Sequence, residues 1–524
     1  MISGLASFNP DQSFWGGFER MGGGFNLLHY FIFFLILASV FKNKEDWSAL
    51  LNLSLVAGLF SILYGFLQLS NWKFILGTLP AGARSRIFGT IGNPAMFAGF
   101  LIFIIYIALL LLLGEINNSK SRGSRWFYCI TIGLSITALV MTAVRGATLA
   151  LLISLLGFFF WYIFLNKAKK SSRGAKIIFA SALLVFSIFL GLVVTHREIP
   201  LAYKINAIRR LSTISFSQTT VRQRLLVWKE ALAGFKARPF LGWGPENFTI
   251  VHQKYYEPKA FFGQVGSLFD RPHNIFLEIL ATQGISGFLM YLLLWLALAF
   301  ALKKRYSKFP IAVSLLSSLF VAYLIQGFFF FDSFSIYLML AMVIALISNG
   351  SIFSGKTDDI SRAVEASERQ TAGRIIFAVS LSIFIGLVIY YFSVLPIIAN
   401  NLSAKAAISF SKNNYELGIE QWKKSLAYKL PISYAADIRL NVGPVYMDAL
   451  YNLADTLPED MVSGDLDYLI GESQKGIEAN HNLVENYTAL DALYVAYANF
   501  IDSKKLDDSI IVLKQALLLA PSRI

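Results

Sequence analysis

A histidine and a set of arginines, each beside an apolar run, are the residues best suited to chemistry in this sequence. In RPHNIFLEILATQGISGFL, residues 271–289, His273 and Asn274 head an apolar segment that carries Gly284 and Gly287 three apart. An imidazole with an ordinary pKa of about 6.5 can stand neutral at a water interface and accept a proton. It can equally anchor a helix end among lipid headgroups. Small residues three apart let another helix approach closely. TAVRGATLALL, residues 142–152, puts Arg145 in a very short turn between two apolar runs, where it either pairs with an anion or snorkels. The segment 219–248 interleaves Arg222, Arg224 and Lys229 with Leu225, Leu226, Trp228, Ala231, Leu232 and Phe235. That pattern is a basic amphipathic helix lying on a membrane, and it also sets guanidinium groups at headgroup depth, where they form bidentate bonds to phosphate. Arg86, with Arg84 close by, precedes a rigid Gly92-Asn93-Pro94 turn at the start of another apolar run. A base surrounded by guanidinium groups suits a reaction on an anionic, phosphate-bearing lipid.

The elements that must position these residues are membrane helices. The 524 residues are 56% hydrophobic and 15% charged, and the mean hydropathy is +0.58; a soluble domain carries about 25% charged residues. The net charge of +14 sits mainly in short loops between apolar runs, so it reports orientation and not nucleic-acid binding. Cys129 is the one cysteine, which rules out an intrachain disulfide and argues against a structural zinc site. The five histidines are too scattered to suggest a local metal motif, and no cofactor is expected. No basic n-region followed by an apolar core marks a cleavable signal peptide in the first 24 residues.

Apolar runs of roughly 20 residues fall near 25–41, 47–69, 92–114, 126–143, 146–165, 176–195, 274–302, 309–330, 333–348 and 375–395. The expected fold is therefore all-α, a polytopic transmembrane bundle of about ten spans. Lysines and arginines concentrate in alternate loops, at 42–46, 117–125, 166–176, 303–308 and 349–374, which should be cytoplasmic. The other set is then external: a segment 1–24, the turns at 70–91, Arg145 and Asp332, a large loop 196–273 with amphipathic helices, and a domain 396–524. All the candidate residues thus share one membrane face. An external N-terminus without an upstream signal implies a translocated short tail or spans that precede Met1. Beyond residue 396, YELGIEQWKKSLAYKLP and LDDSIIVLKQALLLAPS have the helical spacing, small residues and closing proline of tetratricopeptide second helices. Such a surface would engage a protein partner; a generic helical domain fits the pattern too.

His273-Asn274 followed after nine residues by Gly284-Ile285-Ser286-Gly287 resembles the H-[NSQ]-x9-G-x-x-G signature of the O-antigen ligase superfamily. SFWGGFER (13–20), FGTIGNP (88–94), AVRGA (143–147), RLLVW (224–228) and PFLGWGPENF (239–248) agree in order. The resemblance implies a GT-C glycosyltransferase of the bacterial inner membrane, independent of metal. Its donor would be an undecaprenyl-diphosphate-linked glycan on the periplasmic face, and its acceptor lipid A-core, another glycan or a protein. It carries the general base onto His273 and the diphosphate-holding arginines onto Arg224 and Arg145, with Arg222, Arg86 and Asn274 as further substrate contacts. Gly284, Gly287, Gly92, Asn93 and Pro94 are then structural. O-antigen polymerases and protein O-oligosaccharyltransferases share this chemistry. This chain departs in reading Val144-Arg145-Gly146 where the family usually has Ser-Arg-Gly, and in having few residues before the WGGFER segment, where family members have further spans. A lipid-linked glycan transporter or scaffold is the rival from another class. It would need a charged path through mid-membrane, whereas the candidate residues here cluster at one face.

Overall fold

The computed structural model describes residues 2–17, 20, 22–69, 86–113, 121–164, isolated positions between 177 and 187, 219–258, 269–350, 368–428, 430, 432–453 and 456–522. Among these the chain is helix and turn, without a strand. Short helices α1 (Ile2–Leu5) and α2 (Pro10–Trp15) precede α3 (Gly24–Val40), α4 (Lys44–Leu67), α5 (Pro94–Leu113), α6 (Arg122–Met141) and α7 (Arg145–Phe164). The large loop holds α8 (Thr219–Ala237) and α9 (Phe248–Lys254). Then come α10 (Ile275–Arg305), α11 (Pro310–Phe329), α12 (Phe334–Asn349) and α13 (Glu368–Ile389).

Among the described residues, seven helices are long and apolar enough to cross a membrane: α4, α5, α6, α7, α10, α11 and the stretch Val379–Ser411; α3 and α12 are shorter apolar helices. The chain is a polytopic helical membrane protein. The span expected at 176–195 lies almost wholly outside the described residues, as does Arg84. Apolar on every side, α5 runs through the middle of the bundle, with Phe97, Leu101, Phe103, Ile104 and Ile107 buried. The Tyr106 hydroxyl donates to Ser154 Oγ at 2.7 Å and ties α5 to α7.

One end of the bundle collects the start of α3, the end of α4 and the starts of α5, α7, α10 and α12. Gln68, after α4, clasps Gly89 through its side-chain oxygen and nitrogen at 3.2 and 3.0 Å. Gln326, near the end of α11, donates to Ala95 O at 3.3 Å, and Tyr30 of α3 stacks on Tyr337 of α12 at 5.1 Å. The runs around Lys42, Arg122 and Lys303 fall at the opposite helix ends.

The last span differs from its expected form. Instead of stopping near 395 before a separate domain, α13 passes through a π-helical turn, Tyr390–Val394, directly into α14 (Leu395–Ser411). Helices α15 (Tyr415–Leu426), α16 (Ile432–Leu453), α17 (Glu459–Ala479), α18 (Val484–Phe500) and α19 (Lys505–Leu519) follow, each packed on its predecessor. They share a core of their own around Phe410, Trp422, Tyr446, Leu466 and Leu490.

Candidate active site

A break in α10 organises the site. Gly284 sits at φ 67°, ψ −167°, outside helical space, so carbonyls before it and amides after it lose their partners within the helix. The loop 239–244 supplies them. Ala281 O and Thr282 O accept from Trp243 N and Gly244 N at 3.1 and 2.7 Å, while Ile285 N and Ser286 N donate to Pro239 O and Phe240 O at 2.7 and 3.3 Å. A Cβ at Gly284 would run into the Phe240 and Leu241 backbone, and one at Gly242 (φ 69°) into that of Thr282. The glycine expected to admit a neighbouring helix therefore admits a loop backbone instead. Gly287 lies against the Gln283 side chain of its own helix.

That docking joins α8, α9 and the start of α10 around a small core of Val227, Ala231, Trp243, Phe248, Val251 and Ala281. The apolar face of α8 is therefore divided. Val227 and Ala231 are buried in this core, and Leu225 and Leu232 remain exposed. His252 Nδ1 meets Glu230 Oε2 at 2.7 Å and links α9 to α8; burial pushes the Glu230 carboxyl up, and the His252 contact opposes the shift.

His273 precedes this helix in a left-handed conformation, φ 54°, unusual for a residue with a Cβ. Its Nδ1 is 3.1 Å from Arg271 O. A carbonyl can only accept, so Nδ1 carries the proton and Nε2 keeps its lone pair in the neutral ring. Phe269, Phe330 and Phe331 stand edge-on around the imidazole at 5.8, 5.5 and 5.3 Å. Burial lowers the His273 pKa; the Arg271 carbonyl and Asp270 oppose this, and the charges of Arg224 and Arg20 reinforce it. The ring is thus held neutral beside two guanidinium groups. Asn274 caps α10, its side-chain oxygen accepting from Phe276 N and Leu277 N at 3.0 and 3.1 Å.

Arg224 lies on α8, and Trp228, one turn later on the same face, donates from Nε1 to Pro272 O at 2.9 Å. Desolvation lowers the Arg224 pKa. Arg222, two residues earlier, is exposed. Arg145 begins α7 beside Gly146, whose backbone packs against Phe329. Arg86 donates from Nε to Thr142 O at 2.8 Å, which brings the 86–94 segment to the Arg145 turn. There Gly92 adopts φ 84° and Asn93 Oδ1 accepts from Ala95 N at 2.8 Å, just ahead of Pro94, the first residue of α5.

Six charged residues at this site were not picked out from the sequence as site residues: Arg271, Glu246, Glu278, Arg20, Asp270 and Asp332. Arg271 is buried and paired with the carboxylates of both Glu246 and Glu278. Burial opposes its charge, and those carboxylates outweigh burial to hold the guanidinium above its ordinary range. Arg20 pairs with Asp270 at 2.7 Å and lies over the Phe331 ring at 4.8 Å. Asp332 accepts from the Tyr323 hydroxyl at 2.5 Å, and burial pushes its carboxyl up to about 6. Arg20 stood in the quoted WGGFER, Glu246 in WGPEN, and Arg271 and Glu278 in RPHNIFLE, but nothing in the spacing links them.

Fold and site together define a multi-pass membrane protein with a neutral imidazole and several guanidinium groups at one end of its bundle. The family model described as O-antigen ligase matches residues 130–292, a stretch that contains Arg145, Arg222, Arg224, His273, Gly284 and Gly287. That match is to the O-antigen ligase domain, and it supports a membrane glycosyltransferase of the ligase and polymerase superfamily. No curated protein matches the chain.

Proposed function

We propose that this protein transfers a glycan from an undecaprenyl-diphosphate-linked donor to an acceptor hydroxyl at the periplasmic face of a bacterial inner membrane. The observation that carries the reading is the geometry at His273, where Nδ1 faces Arg271 O at 3.1 Å and leaves Nε2 as the acceptor among the rings of Phe269, Phe330 and Phe331. In this scheme the acceptor O–H gives its proton to Nε2 as the oxygen bonds to the anomeric carbon. The bond from that carbon to the diphosphate oxygen breaks, and the leaving diphosphate gains a negative charge. Arg224 and Arg145 stabilise that charge, a fixed electrostatic contribution that needs no rearrangement during the reaction. Arg86 and Arg222 are further contacts to the donor in the same reading. The capping of α10 by Asn274 makes this residue more a support for His273 than a donor contact.

The test is transfer by the purified protein from undecaprenyl-diphosphate glycan, with lipid A-core, glycan and peptide acceptors offered separately. Transfer to one of them, lost in His273→Ala and slowed with weaker donor binding in Arg224→Ala, is the expected result. A wild-type rate in His273→Ala removes the base, and movement of the donor across the bilayer without transfer to any acceptor favours a transporter.

A further inference from the structure

We propose that the C-terminal helical domain and the N-terminal segment complete the His273 site, with Gln12 and Asn480 as positioning residues that act through Glu246 and Arg271. The inference rests on His273 being the working imidazole. Four contacts run in line. Asn480 Nδ2, at the end of α17, donates to Gln12 Oε1 at 3.1 Å. Gln12 Nε2 donates to Glu246 O at 3.1 Å. The Glu246 carboxylate pairs with the Arg271 guanidinium, and Arg271 O accepts from His273 Nδ1.

Two of these residues lie where a side chain is disfavoured: Glu246 at φ 64° and His273 at φ 54°. Non-glycine residues stay in such conformations only where surrounding contacts over-determine them. Arg271 straps the two together, and the N-terminal segment clamps the Glu246 end. Ser13 Oγ donates to Pro245 O at 2.8 Å, and Asn247 Nδ2 donates to Asn9 O and Ser13 Oγ at 3.3 and 3.2 Å. Phe8 N donates to Trp243 O at 3.0 Å, and Ser3 Oγ to Leu241 O at 2.6 Å. The C-terminal domain grips the same loop again through α9, where Gln253 Nε2 donates to Glu485 and Gln253 Oε1 accepts from Val484 N. Two segments remote in sequence thus hold one strained turn, and a load on the C-terminal domain reaches the imidazole through side chains with fixed partners.

The experiment uses the full chain in nanodiscs and the variants Gln12→Ala, Asn480→Ala, Gln12→Glu and the double Gln12→Ala/Asn480→Ala. Gln12→Glu keeps the oxygen that Asn480 binds and removes the donor to Glu246 O, so it tests the inner link alone. Two quantities are read: kcat and KM for the undecaprenyl-diphosphate donor, and the pH-dependent rate at which diethyl pyrocarbonate modifies the His273 peptide. The second needs no substrate. Each single variant is expected to lower kcat by about 3- to 30-fold, the range of couplings carried by such networks, with donor KM little changed and the His273 modification profile shifted. The double variant should be no worse than Gln12→Ala alone, because both changes cut one line. Wild-type kcat and modification profile in the single variants overturn the proposal, and so does a double variant whose losses multiply. If the wild type transfers nothing to any acceptor, the functional reading fails, and the modification profile still decides the positioning claim. If Gln12→Ala fails to fold, Gln12→Glu and Asn480→Ala carry the test.

Discussion

The protonation state of His273 follows from one bond and one environment. The bond to Arg271 O selects the Nδ1–H tautomer, and burial with two nearby guanidinium groups disfavours the second proton. A base works only unprotonated, so the rate of transfer should fall as pH drops through this depressed pKa. The acid limb of the pH–rate profile is expected to have its midpoint below the ordinary imidazole value of about 6.5; a midpoint at or above it would contradict the assignment. Arg271 makes a different prediction. Replacing it with Met strands the buried Glu246 and Glu278 carboxylates, which should cost about 3–5 kcal/mol in thermal unfolding of the detergent-solubilised protein. Adding Glu246→Gln and Glu278→Gln to that variant should recover much of the loss, and no recovery would show that packing, not charge, sets the penalty.

At the scale of elements, the break in α10 does what neither half of the helix could do alone. It ends the segment that carries His273, hands four backbone groups to the 239–244 loop, and lets the remaining helix cross the bundle. Gly284→Ala puts a Cβ into loop backbone at a positive φ and should cost about 1–3 kcal/mol with a lowered Tm. Gly287→Ala sets its Cβ against Gln283 Cβ, an atom that no rotamer change moves, so it should lower Tm as well. An unchanged Tm in Gly284→Ala would show that the loop backbone does not hold this break. The histidine–glycine spacing was legible in the sequence, but the role of the glycines was not. A small residue at a three-residue interval looks the same whether a helix or a loop comes close.

For the whole molecule, the alternation of basic loops predicts sides, and the structure puts the candidate residues and the C-terminal domain at one end of the bundle. Trp15 stacks on Phe392 at 4.8 Å, which brings the exit of the last span beside the start of α3. Sidedness can be read with single cysteines in a Cys129→Ser background. A membrane-impermeant maleimide applied to spheroplasts with an intact inner membrane should label Lys236→Cys and Lys504→Cys, and Lys308→Cys only after permeabilisation. The reverse pattern would invert the orientation and remove the proposed donor face.

Composition and hydropathy by themselves determined an all-helical polytopic membrane protein, because a bilayer demands long apolar helices whatever their neighbours are. Charge in alternate loops sorted the candidate residues onto one face, and the His273, Arg145 and Arg224 motifs were visible because each interrupts an apolar pattern. Only the tertiary structure decided which charges matter to one another. Arg20 reaches Asp270 and Glu246 reaches Arg271 because the break at Gly284 docks the 239–247 loop and the N-terminal segment then closes over it. Ion pairs and a histidine tautomer depend on distances of a few ångströms between such segments, and no periodicity along the chain encodes them.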